Sequence, residues 1–169
     1  HISNFTDFDA LENEPDVDLC YVENAADLTN AHVIIIPGTK NTIQDLLWLK
    51  KAGIAKKLVS GSSLVIGICG GYQMLGETIY DPKGLESAQK SVKGLGLLSI
   101  STTLRTQKIL TQTKALELST KIKIEGYEIH HGKTIRLKPS KALFKIVEEG
   151  YLDGAASKDG RIWGTYLHG

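Results

Sequence analysis

Leu64-Val-Ile-Gly-Ile-Cys-Gly-Gly-Tyr-Gln-Met-Leu-Gly76 is the stretch that decides the fold. An apolar run of strand length, Leu64 to Cys69, meets two glycines and then the helix-like Gln73-Met74-Leu75, so a strand passes through a tight turn into a helix. Upstream, His32-Val-Ile-Ile-Ile-Pro37 is an unbroken β-branched run that reads as a strand buried on both faces and ended by Gly38. Between the two strands, Asn41 or Thr42 can cap a helix with Ile43, Leu46, Leu47 and Ile54 on its apolar side and Lys50 and Lys51 near its end. A second helical stretch, Ile54 to Val59, leads to the loop Ser60-Gly-Ser-Ser63. Two strands joined by a helical crossover run parallel and place their C-terminal ends, at Gly38 and Cys69, on one sheet edge, where sites form in open α/β folds.

Beyond about Gly94 the pattern shortens. Lys121-Ile-Lys-Ile124, Thr134-Ile-Arg-Leu137 and Ala142-Leu-Phe-Lys-Ile-Val147 have the period of strands, and Lys158-Asp-Gly160 suits a hairpin turn between residues 155–157 and 161–163. The expected class is therefore α/β, a mostly parallel sheet flanked by helices, with a strand-rich C-terminal third. The 169 residues suit a single domain, 1–169, without internal repeat or linker.

Composition narrows the function classes. A net charge of +1 and an apolar content of 41% ask for neither nucleic acid nor an anionic membrane. The apolar runs are too short to span a bilayer, and no signal peptide opens the chain. Cys20 and Cys69 form no CxxC pair, so no metal site is expected and a reducing, cytoplasmic setting fits.

Cys69 carries the most chemistry. Gly67 and Gly71 leave room for a strained turn that exposes the sulfur, and the helix N-terminus behind it favours a thiolate and its oxyanion products. Two readings stand open on this pattern, a nucleophile and a buried structural cysteine. The Pro37-Gly-Thr-Lys-Asn41 turn lies beside it on the same edge, so the backbone N–H of Gly38 or Thr39 can join that of Gly70 in an oxyanion hole, unless it is a plain strand-to-helix turn. Among five histidines, His168 is the candidate general base, because an apolar strand, Trp163-Gly-Thr-Tyr-Leu167, delivers it to a His-Gly turn. A structural histidine is the alternative there. Gly132-Lys-Thr134 imitates a phosphate loop, but its lysine leads into a strand pattern rather than a helix.

Five segments in order, Ile2-Ser-Asn-Phe-Thr-Asp-Phe-Asp9, Pro37-Gly-Thr-Lys-Asn-Thr-Ile43, Gly67 to Gly76, Gly126-Tyr-Glu-Ile-His130 and Gly164-Thr-Tyr-Leu-His-Gly169, give the chain its resemblance to the cobyric acid synthase family. The match covers the C-terminal glutamine amidotransferase domain of that family, a class I, flavodoxin-like fold. The resemblance implies that Cys69 attacks the side-chain amide of L-glutamine to give a thioester and ammonia, with His168 moving the protons. It also implies Gln73, Tyr127 and His130 as substrate-binding residues. Ammonia then passes to a synthetase domain, absent here, that uses ATP and magnesium to amidate adenosylcobyrinic acid a,c-diamide in cobalamin biosynthesis. The glutaminase domain itself would need no cofactor.

The chain departs from the family pattern at His1, where arginine is usual, and at His131, where methionine is usual. It ends one residue after His168, which implies a fragment of a longer protein and removes the position where many class I enzymes carry an orienting glutamate. Glu125 and Glu128 are considered for that role, with structural pairing or substrate contact as their alternatives. The other functional readings are a glutaminase serving cobyrinic acid diamide synthase or a cell-wall lipid-linked precursor, and a non-catalytic domain that docks a synthetase.

Overall fold

The computed structural model describes residues 5–138 and 140–169, so His1 and Ile2-Ser-Asn4, part of the first family segment, lie outside the described residues. A 3-10 turn, Phe5–Phe8, runs into the short helix α1 (Asp9–Glu12). Strand β1 (Val33–Ile36), helices α2 (Thr42–Lys51) and α3 (Ile54–Ser60), strand β2 (Leu64–Ile68) and helix α4 (Gly70–Leu75) follow the order expected of a crossover unit. Asn41 caps α2, its side chain accepting from the Gln44 N–H at 2.9 Å. Gly53, at φ 75°, turns the chain from α2 into α3, a conformation that glycine adopts at least cost.

The remaining elements are β3 (Thr78–Tyr80), β4 (Ser91–Lys93), β5 (Ile100–Glu117), β6 (Lys123–Arg136), β7 (Phe144–Ile146), β8 (Leu152–Asp153), β9 (Ala155–Ala156), β10 (Ile162–Thr165) and β11 (Leu167–His168). They complete two sheets. In the first, of order β1-β2-β10-β9, β2 runs parallel to both neighbours, with Ile36 opposite Gly67 and Thr165 opposite Ile68. The Asp159-Gly160 turn joins β9 and β10 as an antiparallel hairpin, as the sequence indicates. The second sheet, β11-β6-β5-β3-β4 with β7 and β8 attached, is built around the long antiparallel pair β5 and β6.

Three details differ from expectation. β1 is an edge strand among the described residues, and Val33 is 45% exposed, because a run of isoleucines makes a strand but only neighbours on both sides bury it. On α2, Leu47 is exposed and Leu49 buried: steps of three from Ile43 and Leu46 bring Leu49 round to the core. The segments at 121–124 and 134–137 are not separate strands but overlap the two ends of β6, which also places Lys133 and Thr134 in a strand and not at a phosphate loop.

The larger of two hydrophobic clusters unites the layers. Ile43 and Leu46 of α2, Leu58 of α3, Val65 of β2, Leu75 of α4 and Ile100 of β5 are all essentially inaccessible. After Thr165 the chain leaves the parallel sheet and β11 pairs with β6, setting His168 opposite Tyr127. The junction between the sheets thus lies beside the C-terminal ends of β1, β2 and β10.

Candidate active site

Cys69 follows β2 directly and occupies φ 54°, ψ −108°, in the positive-φ region that side chains rarely adopt. The strain is held from both sides: the Cys69 N–H donates to the Thr165 carbonyl at 2.8 Å, and the Cys69 carbonyl accepts from the Gln73 N–H at 3.1 Å. Glycine is required in the turn, since a Cβ on Gly71 would lie 1.9 Å from the Ile36 carbonyl oxygen. The elbow therefore packs hard against the end of β1, as the two glycines of the sequence suggest.

The sulfur borders a cavity of about 350 Å³, at the small end of ligand-pocket sizes. Thr39, Gln73, Glu86, His130 and His168 border it too, with Lys40, Lys108 and His131. Thr39 meets the elbow closely: a Cβ on Gly70 would stand 2.7 Å from the Thr39 methyl and 3.4 Å from its nitrogen. The Thr39 hydroxyl donates to the Asp45 carboxylate, which ties the turn after β1 to the first turn of α2. Gly38 does not border the cavity.

The thiol donates to the Ile129 carbonyl at 3.2 Å. Burial pushes its pKa up to about 12, reinforced by the carboxylates of Asp7, Glu86 and Glu128, while the Gly70 N–H works in the opposite direction. The expectation of a favoured thiolate is thus reversed in this state: desolvation outweighs one backbone donor at the start of a six-residue helix.

His168 is almost wholly buried, and its Nδ1 lies 2.7 Å from Oδ2 of Asp7, whose side chain is 4% exposed. Tyr127 stacks on the imidazole with centroids 4.9 Å apart and donates its hydroxyl to Asp7 Oδ1 at 3.0 Å. Tyr127 does not border the cavity; it lies against the imidazole and Asp7. Gln73 and His130 do border it, but their polar atoms meet protein groups. Gln73 accepts from the Thr42 hydroxyl and donates to the Tyr166 hydroxyl, at 3.1 and 3.0 Å. His130 contacts the Gly132 carbonyl through Nδ1 at 2.8 Å, lies 3.5 Å from Glu128 through Nε2, and stacks on Tyr166. Glu128 accepts from the Tyr151 hydroxyl at 2.5 Å, and exposed Glu125 pairs with Lys114 at 3.3 Å.

Among the described residues, no group of three or more His, Cys, Asp or Glu side chains is arranged to hold a metal ion, and no helix is long and apolar enough to cross a membrane.

A family model described as the CobB/CobQ-like glutamine amidotransferase domain matches residues 1–169. The chain belongs to this family. Cobyric acid synthase of Moorella thermoacetica is 46% identical and that of Syntrophobacter fumaroxidans 41%, the matches covering 99% and 100% of this chain and 35% and 36% of those proteins. The adenosylcobalamin biosynthesis bifunctional protein CobDQ of Leptospira interrogans is 45% identical over 99% of this chain and 20% of its own length. The chain thus spans about a third or less of the curated relatives it matches. Among solved structures, a glutamine amidotransferase superposes with a TM-score of 0.73 at 15% identity, covering 99% of this chain and 86% of that one. Another glutamine amidotransferase, from Thermotoga maritima, gives 0.53 at 14%, over 81% and 55%. The fold is that of a glutamine amidotransferase, α/β with mixed sheets.

Sequence reasoning did not single out Asp7, whose carboxylate meets the His168 imidazole. It lies within the first quoted segment, but its contact is with a residue 161 positions away. Nothing in the local pattern pairs the two.

Proposed function

We propose that this domain hydrolyses L-glutamine through a Cys69 thioester and passes the ammonia to a synthetase portion of the same protein. The observation that carries the reading is Cys69 on a strained strand-to-helix turn, bordering one small cavity with His168. In the first step His168 takes the thiol proton and the sulfur attacks the side-chain carboxamide carbon. The backbone N–H groups of Gly70 and of Thr39 or Gly38 receive the oxyanion. Collapse of the tetrahedral intermediate, with His168 returning the proton to nitrogen, releases ammonia and leaves the γ-glutamyl thioester. Water, deprotonated by His168, then attacks the thioester and yields glutamate and the free thiol.

Gln73 and His130 shape the cavity for glutamine, and Tyr127 acts on the substrate only through His168. Likeness to cobyric acid synthases supports adenosylcobyrinic acid a,c-diamide as the ammonia acceptor, with ATP and magnesium used by the synthetase portion and no cofactor in this domain. Two free cysteines, one of them the nucleophile, suit the reducing cytoplasm.

Glutamate release by the full-length protein, given ATP and the corrinoid, tests the reading. Cys69→Ala should abolish it while ammonium chloride still supports amidation. Glutamine-dependent turnover by Cys69→Ala at the wild-type rate would refute it.

A further inference from the structure

We infer that Asp7 is the positioning carboxylate for His168, completing a Cys69-His168-Asp7 relay whose acid comes from the opposite end of the chain from its histidine. The inference rests on the glutaminase reading above and goes beyond it. An imidazole that removes a thiol proton must present one unprotonated nitrogen to the sulfur, and a neutral ring does so in only one of its two tautomers. A carboxylate accepting from Nδ1–H selects the tautomer with Nε2 unprotonated and stabilises the imidazolium formed when the thiol ionises.

The Asp7 contact has the geometry that role asks of the carboxylate, and Cys69 and His168 border the same cavity. Oδ2 lies 2.7 Å from Nδ1, the length of a charge-assisted bond, and both side chains are almost wholly buried, which removes competition from water. The second oxygen is held in turn: Tyr127 donates to Oδ1 at 3.0 Å while its ring lies flat against the imidazole, 14° from parallel. One tyrosine therefore fixes both members of the pair. Backbone pairing adds to this, because His168 and Tyr127 are register partners between β11 and β6.

The other carboxylates near the site are committed elsewhere. Glu128 accepts from the Tyr151 hydroxyl and lies beside His130, and Glu86 accepts from the Ile43 N–H at 2.9 Å. Asp7 belongs to the 3-10 turn Phe5–Phe8, so the placement of this turn decides whether the histidine is armed.

The test uses the full-length protein with ATP and acceptor, labelled with 15N-histidine for spectroscopy. Asp7→Asn keeps the size of the group and should lower kcat for glutamine hydrolysis by at least a hundredfold and up to about 10⁴-fold. KM should change little, because Asp7 does not border the cavity. Tyr127→Phe, which keeps the ring and deletes the hydroxyl, should lower kcat by a smaller factor. In the wild type the His168 resonances should report a proton on Nδ1, and in Asp7→Asn that preference should be lost.

A kcat for Asp7→Asn within threefold of wild type, with Cys69→Ala inactive, overturns the inference and leaves the glutaminase reading standing. Activity in Cys69→Ala would instead remove the reading beneath it. Should Asp7→Asn fail to fold, the wild-type spectrum decides: a neutral His168 protonated on Nε2 contradicts the assignment.

Discussion

The Cys69 sulfhydryl donates to the backbone carbonyl of Ile129, 3.2 Å away on β6, so the second sheet holds the thiol in its protonated form. The proposed reaction breaks that bond and removes the proton, and burial makes the departure costly: the thiol stands near 12 rather than 9.

The buried thiol gives a pH dependence of stability. Its folded pKa lies above its unfolded value, so the stabilisation is complete below about 9 and is lost as pH rises from there toward 12. Thermal melts of the wild-type domain should fall more steeply across this range than those of Cys69→Ala. Parallel alkaline limbs in the two proteins would contradict the assignment.

The same state should make the isolated domain a poor glutaminase. An unformed oxyanion donor alone costs about a hundred- to thousandfold in turnover, and in the proposed mechanism the peptide between Gly38 and Thr39 is where one is gained or lost. Glutamate release by residues 1–169 should therefore fall at least a hundredfold below that of the full-length protein with ATP and acceptor. Equal rates would show that hydrolysis is not coupled to the acceptor.

Asp81 should govern the loop that carries Glu86 to the cavity. Burial by itself would raise its pKa, but the N–H groups of Leu85, Glu86 and Ser87, at 2.7 to 2.9 Å, hold the carboxylate below its ordinary value of 3.8. Its stabilisation is present above that value and lost as acid protonates the folded-state carboxylate. Asp81→Ala should cost about 1–3 kcal/mol at neutral pH, measured by denaturant titration, with a smaller loss at pH 3. KM for glutamine should rise as the loop loosens. An unchanged midpoint at pH 7 would contradict the role.

Gly71→Ala should damage the elbow itself. The added methyl meets the Ile36 carbonyl oxygen at 1.9 Å, between two elements of the core, so relief requires β1 and α4 to separate. A loss of about 1–3 kcal/mol is expected, together with loss of glutamine hydrolysis. A variant with wild-type Tm and kcat would show that the elbow tolerates a wider turn.

The first half of this fold is legible in sequence because its signals are local. Apolar, β-branched-rich runs mark β1 and β2, Asn41 marks the start of α2, and the glycines around Cys69 mark the turn whose strain the φ of 54° records. β5 carries no comparable signal. Residues Arg105 to Leu110 are exposed on both faces, and the pairing with β6 shifts register between Leu104 and Ile109, so the strand has no continuous alternation to read. Its order comes from cross-strand bonds that only the folded chain supplies. Asp7 was illegible for a related reason, since its partner lies at the far end of the chain. The thiol is the case where a correct local signal lost: the helix start favours charge, and burial outweighs it.

Labelling the full-length protein with a glutamine-analogue diazo-ketone tests the central claim most directly. Exposed Cys20 serves as an internal control for indiscriminate reactivity. With ATP and acceptor present, mass spectrometry should find within residues 1–169 one adduct, on Cys69, suppressed by excess glutamine. Labelling of Cys20 with Cys69 untouched would contradict Cys69 as the nucleophile.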